Sequence, residues 1–318
     1  MVGLSGPFGK DSGFAMKKFL LLGIISLIWG SQFYFNEIAL QALPPLTIAA
    51  GRSVLAALTL AILLAMSKES QTVPAAKRMP FMAAFWIAVV DASLPFTLIT
   101  WGQVQIDSGT AAILVGTIPL FVVMLAPLVI ASERLAMGSL LSVGLGFISL
   151  LVLNHGVFSH GFGGSLLAQL SVLGGAACFA AGLVFIKRMN SPAFIRTARA
   201  ILIGASLQLV PLALWVDRPW TLDWSPSTLG ALAFLGVVNA GLAYLLYVVL
   251  IAKAGPTFAS LSNYLVPMVG MTLGISFLGE AFDPVSLVAL AILFAALALN
   301  GYQGPKRGGN ANEKPLPT

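Results

Sequence analysis

Few residues of this chain could do chemistry, and the ones that could lie inside apolar runs. Asp91 is about halfway along one such run, flanked by Val89, Val90 and Ala92, with no cation before it on the same helix face. On insertion scales an ionisable side chain at that depth costs about 2.5–3.5 kcal/mol, so it needs water, a partner or a ligand. Facing a water-filled cavity, its carboxylate would attract a cationic group such as an ammonium. The structural alternative is an acid that caps or bonds a broken neighbouring helix. Arg52 sits about one and a half turns into the preceding run, close to where Glu37 leaves the first. An ion pair between Glu37 and Arg52 that holds this hairpin together is the expectation, with substrate contact as the alternative.

Polar stripes accompany these charges. Trp29, Gln32 and Asn36 share one helix face at i, i+3 and i+7. An indole and two amides near mid-membrane would line a cavity that recognises a polar ligand, or bond neighbouring helices to one another. Ser93, Thr97 and Trp101 form a second stripe at i, i+4 and i+8; Trp101 could stack on a planar ligand or lie at the outer interface. Asn239 and Tyr244 add polar groups to a later run, and Ser260, Asn263 and Pro267 share a face adjoined by Tyr264. Pro267 deprives the carbonyl of Asn263 of its usual donor, and Pro119 does the same to Val115. Such carbonyls can bind polar groups or mark hinges, unless neighbours re-satisfy them.

Other chemistries lack a basis. There is no Walker loop, no paired catalytic carboxylates and no nucleophile motif, so neither ATP-driven pumping nor enzymatic catalysis is expected. His155 and His160 are too few for a metal site, and no cofactor is implied. The single cysteine, Cys178, cannot form an intrachain disulfide and reads as a small packing residue. The net charge of +6 is spread over short loops, which argues against nucleic acid and for membrane orientation.

The elements that must position these residues follow from composition. A chain of 318 residues that is 58% hydrophobic and 9% charged, with a mean hydropathy of +0.95, has too little polar surface to cover a water-soluble globule. Apolar runs long enough to cross about 30 Å of hydrocarbon recur throughout, without the alternation of a barrel. We expect an all-α integral membrane protein with ten spans: 17–38, 46–66, 80–102, 108–130, 136–153, 165–187, 195–215, 227–251, 257–278 and 284–302. The start at Met16-Lys17-Lys18 resembles a secretory signal, but no small-x-small site follows and Trp29 to Ala39 continues the run, so it reads as a retained first helix. With both termini in the cytoplasm, all of the 17 Lys and Arg except Arg218 and Arg52 fall on the inner side or at inner helix ends.

A repeat relates the two halves. Asp107 to Pro119 resembles Gly255 to Pro267, each a helix start of small residues ending in proline and continuing through apolar sequence to an acid, Glu133 or Glu280. The same register, an offset of 148 residues, sets Asp91 opposite Asn239. Five spans per repeat is an odd number, so the second copy is expected to lie inverted relative to the first, as in many secondary transporters. The organisation is a tail over 1–16, a five-helix repeat over 17–153, an outer linker over 154–164, a second repeat over 165–302 and a tail over 303–318.

These residues resemble the EamA-type branch of the drug/metabolite transporter superfamily. The resemblance rests on Trp29-Gly30-Ser31, Leu43-Pro44-Pro45-Leu46-Thr47, Arg52, Ser108-Gly109-Thr110-Ala111-Ala112 up to Pro119, and Glu133-Arg134-Leu135. In the second half it rests on Gly255-Pro256-Thr257-Phe258-Ala259, Pro267 and Leu278-Gly279-Glu280. It implies an exporter or exchanger of small metabolites in the cell inner membrane, similar to exporters of amino acids, including aromatic ones. Gln32 and Asp107 depart from the family pattern. Alternating access between the inverted halves is the implied mechanism. Alternatives are an exporter of lipophilic cations, an exchanger of sugar phosphates or nucleotide sugars, and a membrane enzyme or scaffold without transport. The partners expected are a small-molecule substrate and the lipid bilayer. The chain reads as a monomer, with a homodimer as the alternative because Gly270 and Gly274 form a GxxxG.

Overall fold

The computed structural model describes residues 8–67, 74, 78–130, 137–153, 164–189, 191–254, 262–281 and 283–301. Glu133, His155, His160 and Ser260 lie outside the described residues, as do the side chains of Asn263 and Tyr264. The described elements are helices. α1 is Phe8–Leu40 and α2 Pro45–Met66. α3 runs as Phe81–Ala88, a π-helical Val89–Ser93 and Leu94–Gly102. α4 is in two pieces, Ser108–Val115 and Ile118–Val129. α5 is Met137–Leu153, α6 Gly164–Met189 and α7 Phe194–Val216. α8 runs as Pro226–Ala233, a π-helical Phe234–Leu242 and Ala243–Ala254. α9 is Ser262–Phe277 and α10 Pro284–Gly301.

Among the described residues seven helices are long and apolar enough to cross a membrane, and Leu140–Leu153, Leu265–Phe277 and Pro284–Ala296 are shorter apolar helices. Large apolar side chains such as Ile62, Trp86, Leu128 and Phe147 are exposed, a surface that water would penalise and lipid accepts. α1 begins at Phe8, inside the stretch that the sequence reads as a tail. Once a span has nucleated a helix, each added residue gains a backbone hydrogen bond at low cost, so helix can run beyond the apolar part.

The principal helix pairings are unchanged when each helix is exchanged for the one five places on. α1 packs on α9 as α6 packs on α4, α1 on α8 as α6 on α3, and α2 on α8 as α7 on α3. α2 with α7, α4 with α9, and α5 with α10 map onto themselves. Small residues allow these approaches. Ala49, Ala56, Ala84, Ala88, Ala198 and Ala205 make up much of the core where α2, α3 and α7 meet, and in an apolar medium close backbone approach is what drives helices together.

The two matched prolines have unlike surroundings. Pro119 stands in the first turn of the second piece of α4, after a break at Gly116-Thr117, where a missing N–H would be unbonded anyway. The expected proline interruption of a continuous helix is therefore replaced by a helix end. Pro267 does lie inside a helix, α9. The segments touch: a Cβ added at Gly116 would lie 2.8 Å from the Pro267 ring.

Candidate functional site

Asp91 and Asn239 each fall in a π-helical segment, one in α3 and one in α8. The backbone N–H of Leu94 bonds to the carbonyl of Val89, and that of Ala243 to Val238, in the i to i+5 pattern. A π segment re-aims the side chains around it and is frequent at functional sites. Both of these turn a polar side chain onto one cavity.

That cavity encloses about 160 Å³, roughly ten times the 10–15 Å³ that one water needs on the same measure. Its polar walls are Gln32 of α1, Arg52 of α2, Asp91 of α3 and Asn239 of α8. Its apolar walls carry five aromatic residues, Trp29, Phe96, Phe179, Tyr244 and Tyr247, beside aliphatic ones such as Ile118, Leu183 and Ile201. The lining comes from the middle of α1 to α4, from the second half of α6, the first half of α7 and the second half of α8, and from Val266 of α9. Trp29 and Tyr247 pack ring to ring at 4.8 Å with a 53° tilt.

Arg52 is buried and tied into this wall from three sides. Its Nη2 donates to Gln32 Oε1 at 2.9 Å and, over a short distance, to Asn239 Oδ1. Asn239 Nδ2 in turn donates to the carbonyl of Ile28 at 2.9 Å. The guanidinium carbon lies 4.2 Å from the centroid of the Phe96 ring, within cation–π range. Asp91 packs against Gly182 of α6 so closely that a Cβ there would lie 2.5 Å from its Oδ1.

The expected ion pair between Glu37 and Arg52 is not formed. Arg52 is seven residues into α2, about 10 Å below its start, while Glu37 is three residues from the end of α1. Gln32, five residues deeper than Glu37, lies at the depth of the guanidinium. Among the described residues Glu37 Oε2 has no hydrogen-bond partner, and Glu280 and Asp107 are its electrostatic neighbours. Acids at this end cap helices instead. Glu280 accepts from Ser108 N at 2.7 Å, Ser108 Oγ at 2.5 Å and Gly109 N at 3.2 Å at the start of α4. Asp217 accepts from Thr47 N and Oγ1, both at 2.8 Å, in the first turn of α2.

Of the residues expected to line a pathway, Trp29, Gln32, Asp91, Asn239 and Tyr244 meet at the cavity. Asn36 donates to Gln103 Oε1 at 2.9 Å, and Gln103 donates to the carbonyl of Phe33 at 3.1 Å, so this amide bonds α1 to the end of α3. Ser93 donates to Gln208 Oε1 at 2.6 Å, Gln208 donates to the carbonyl of Phe85 at 2.7 Å, and the pair joins α3 to α7. Thr97 donates to Ser93 O within its own helix, and Trp101 is exposed at the edge of α3. Sequence reasoning missed Phe96, Phe179 and Tyr247. Phe96 stands five residues after Asp91 and Tyr247 three after Tyr244, but aromatic residues at such spacing are common in any apolar helix.

The pairing pattern and the twin π segments point to a duplicated helical unit, and a family model matches accordingly, over residues 16–155 and 166–302, under the description EamA-like transporter family. The chain belongs to the EamA-like transporter family. Its relatives include the uncharacterized inner membrane transporter YedA of Escherichia coli strain K12, 24% identical over 86% of this chain and 87% of the relative. An uncharacterized transporter of Archaeoglobus fulgidus is 23% identical over 87% of this chain and 94% of its own length. The S-adenosylmethionine/S-adenosylhomocysteine transporter of Chlamydia trachomatis serovar L2 is 25% identical over 91% of this chain and 90% of its own. A solved crystal structure superposes with a TM-score of 0.64 over 90% of this chain and 96% of that one, at 16% identity, and so shows the fold alone. This EamA-type chain is thus a multi-pass membrane transporter, and its cavity is the place where a small molecule could be held.

Proposed function

We propose that this chain is a secondary exporter of amino acids, with a preference for aromatic ones, working by alternating access. Ten spans form two inverted five-helix repeats, over 17–153 and 165–302, with both termini in the cytoplasm and the cell inner membrane as its location. The repeats rock about the cavity between α1 to α4 and α6 to α9 and open it to one side at a time. The observation that carries this reading is the company of Asp91: an acid that accepts no hydrogen bond among the described residues, at the wall of a cavity lined by five aromatic side chains. A carboxylate there can take up an ammonium, and the aromatic rings provide faces for a planar side chain. The cargo named for the Chlamydia relative also carries an amino acid head, which is consistent with the reading.

Purified full-length protein in liposomes should exchange labelled L-phenylalanine for internal L-phenylalanine. Asp91→Asn should lower apparent affinity at least tenfold while the protein folds normally. Exchange retained in Asp91→Asn with unchanged affinity would defeat the role given to this acid. The same acid and aromatic walls also suit a lipophilic cation, so exchange of a cationic dye in place of every amino acid would favour that second reading.

A further inference from the structure

Arg52 poses a problem that its neighbours do not solve. It is 6% exposed, lies inside a span, and every group that accepts from it is neutral. Among the described residues no carboxylate pairs with it, and Glu37, the acid closest in the sequence, leaves its Oε2 unbonded. A buried cation without a counter-charge is costly, and the surroundings normally supply an anion or allow one to enter. Gln32, Asn239 and Phe96 do something narrower: they fix the plane and direction of the guanidinium. Nη2 is spent on two amide oxygens, one from each repeat, and the ring of Phe96 covers one face. Nη1 makes no hydrogen bond among the described residues, and Arg52 belongs to the cavity wall.

We propose that Arg52 is the specificity-determining residue for a free carboxylate, so that the substrate is a zwitterion read at both ends, its carboxylate at Arg52 and its ammonium at Asp91. The assignment rests on the amino acid reading above and deepens it. A monoanionic carboxylate fits better than a phosphate, because the same cavity wall carries an acid that would repel a dianion, and it holds one cation where a phosphate usually gathers several. The clamp accounts for arginine over lysine: an ammonium has no planar fork to be held by two amides and a ring. Amino acid amides, esters and decarboxylated amines keep the ammonium and the side chain but leave Arg52 uncompensated, and a site built for a charged partner rejects such analogues strongly.

The test uses purified full-length protein in liposomes, with L-phenylalanine, L-phenylalanine amide, L-phenylalanine methyl ester and phenethylamine as competitors against labelled L-phenylalanine. Thermal stabilisation of the detergent-solubilised protein by each compound gives a readout independent of transport. In the wild type the three analogues should compete at least tenfold more weakly than phenylalanine. In Arg52→Gln and Arg52→Lys that preference should shrink to within about twofold, with affinity for phenylalanine falling more than affinity for the amide. Should neither variant fold, the wild-type competition decides alone. An amide that competes within twofold of phenylalanine in the wild type, or a tenfold preference surviving in Arg52→Gln, overturns the assignment and leaves the transport reading standing. Selective stabilisation by free carboxylates without any exchange overturns the transport reading and keeps the assignment. Neither binding nor exchange of any of the four compounds overturns both.

Discussion

Gly182 of α6 offers a test of how Asp91 is held. A methyl group at that position would lie 2.5 Å from Asp91 Oδ1, 2.6 Å from its Cβ and 2.8 Å from its Cα. The last atom belongs to the π-helical backbone, so rotating a side chain does not relieve the collision; α3 and α6 must separate. Gly174, two turns earlier on the same helix, is a matched control, since its added Cβ would meet only Leu98 Cδ1 at 3.8 Å. Both substitutions by alanine gain the same intrinsic helix propensity, about 1 kcal/mol. The overpacking penalty, about 1–3 kcal/mol for an unaccommodated methyl, falls on Gly182 alone. Gly174→Ala should therefore be neutral or stabilised by up to about 1 kcal/mol, and Gly182→Ala should fall below it by about 1–3 kcal/mol, the difference being free of the propensity gain. Thermal unfolding of the solubilised protein measures this difference. Phenylalanine exchange in liposomes reports whether the displaced acid still serves the cavity, and should drop in Gly182→Ala only. If Gly182→Ala is as stable as Gly174→Ala and exchanges at the wild-type rate, the packing of α6 against the π segment does not position Asp91.

Other perturbations bear on the same framework. Asn239→Ala removes one acceptor from the buried guanidinium and the donor of Ile28 O, and should destabilise the solubilised protein by about 1.5–3 kcal/mol. Thr97→Val, which loses only a bond within its own helix, should leave the unfolding midpoint nearly unchanged. Glu280→Ala removes three hydrogen bonds from the start of α4 and should destabilise by about 1–2 kcal/mol, with Glu280→Gln closer to wild type because one acceptor oxygen survives. Equal unfolding midpoints for Glu280→Ala and wild type would show that this cap contributes nothing to holding α4 against α9.

The match between Asp91 and Asn239 was legible because it needed only register: the offset of 148 residues that pairs Pro119 with Pro267 also pairs these two, and both proved to lie in π-helical segments facing one cavity. The partner of Arg52 was not legible. Proximity along the hairpin suggested Glu37, but hydrogen bonds are set by depth in the bundle and by the rotation of helices from the other repeat. Asn239 is 187 residues away. The stripes divided for the same reason. Trp29, Gln32 and Asn36 share a face, yet the face passes from the cavity to the packed end of α3 within two turns, so Asn36 reaches Gln103 instead of the open space.

By itself, then, the sequence determined what depends on local composition and periodicity: a helical chain made for lipid, a duplication across its two halves, and the few polar residues set within its apolar runs. Tertiary structure alone decided which of those residues face the cavity and which tie helices together. Both roles draw on the same side chains at the same spacing, and what separates them is how each helix is rotated against neighbours far away in the chain. In a bilayer nothing but that packing tells a polar residue where its partner is.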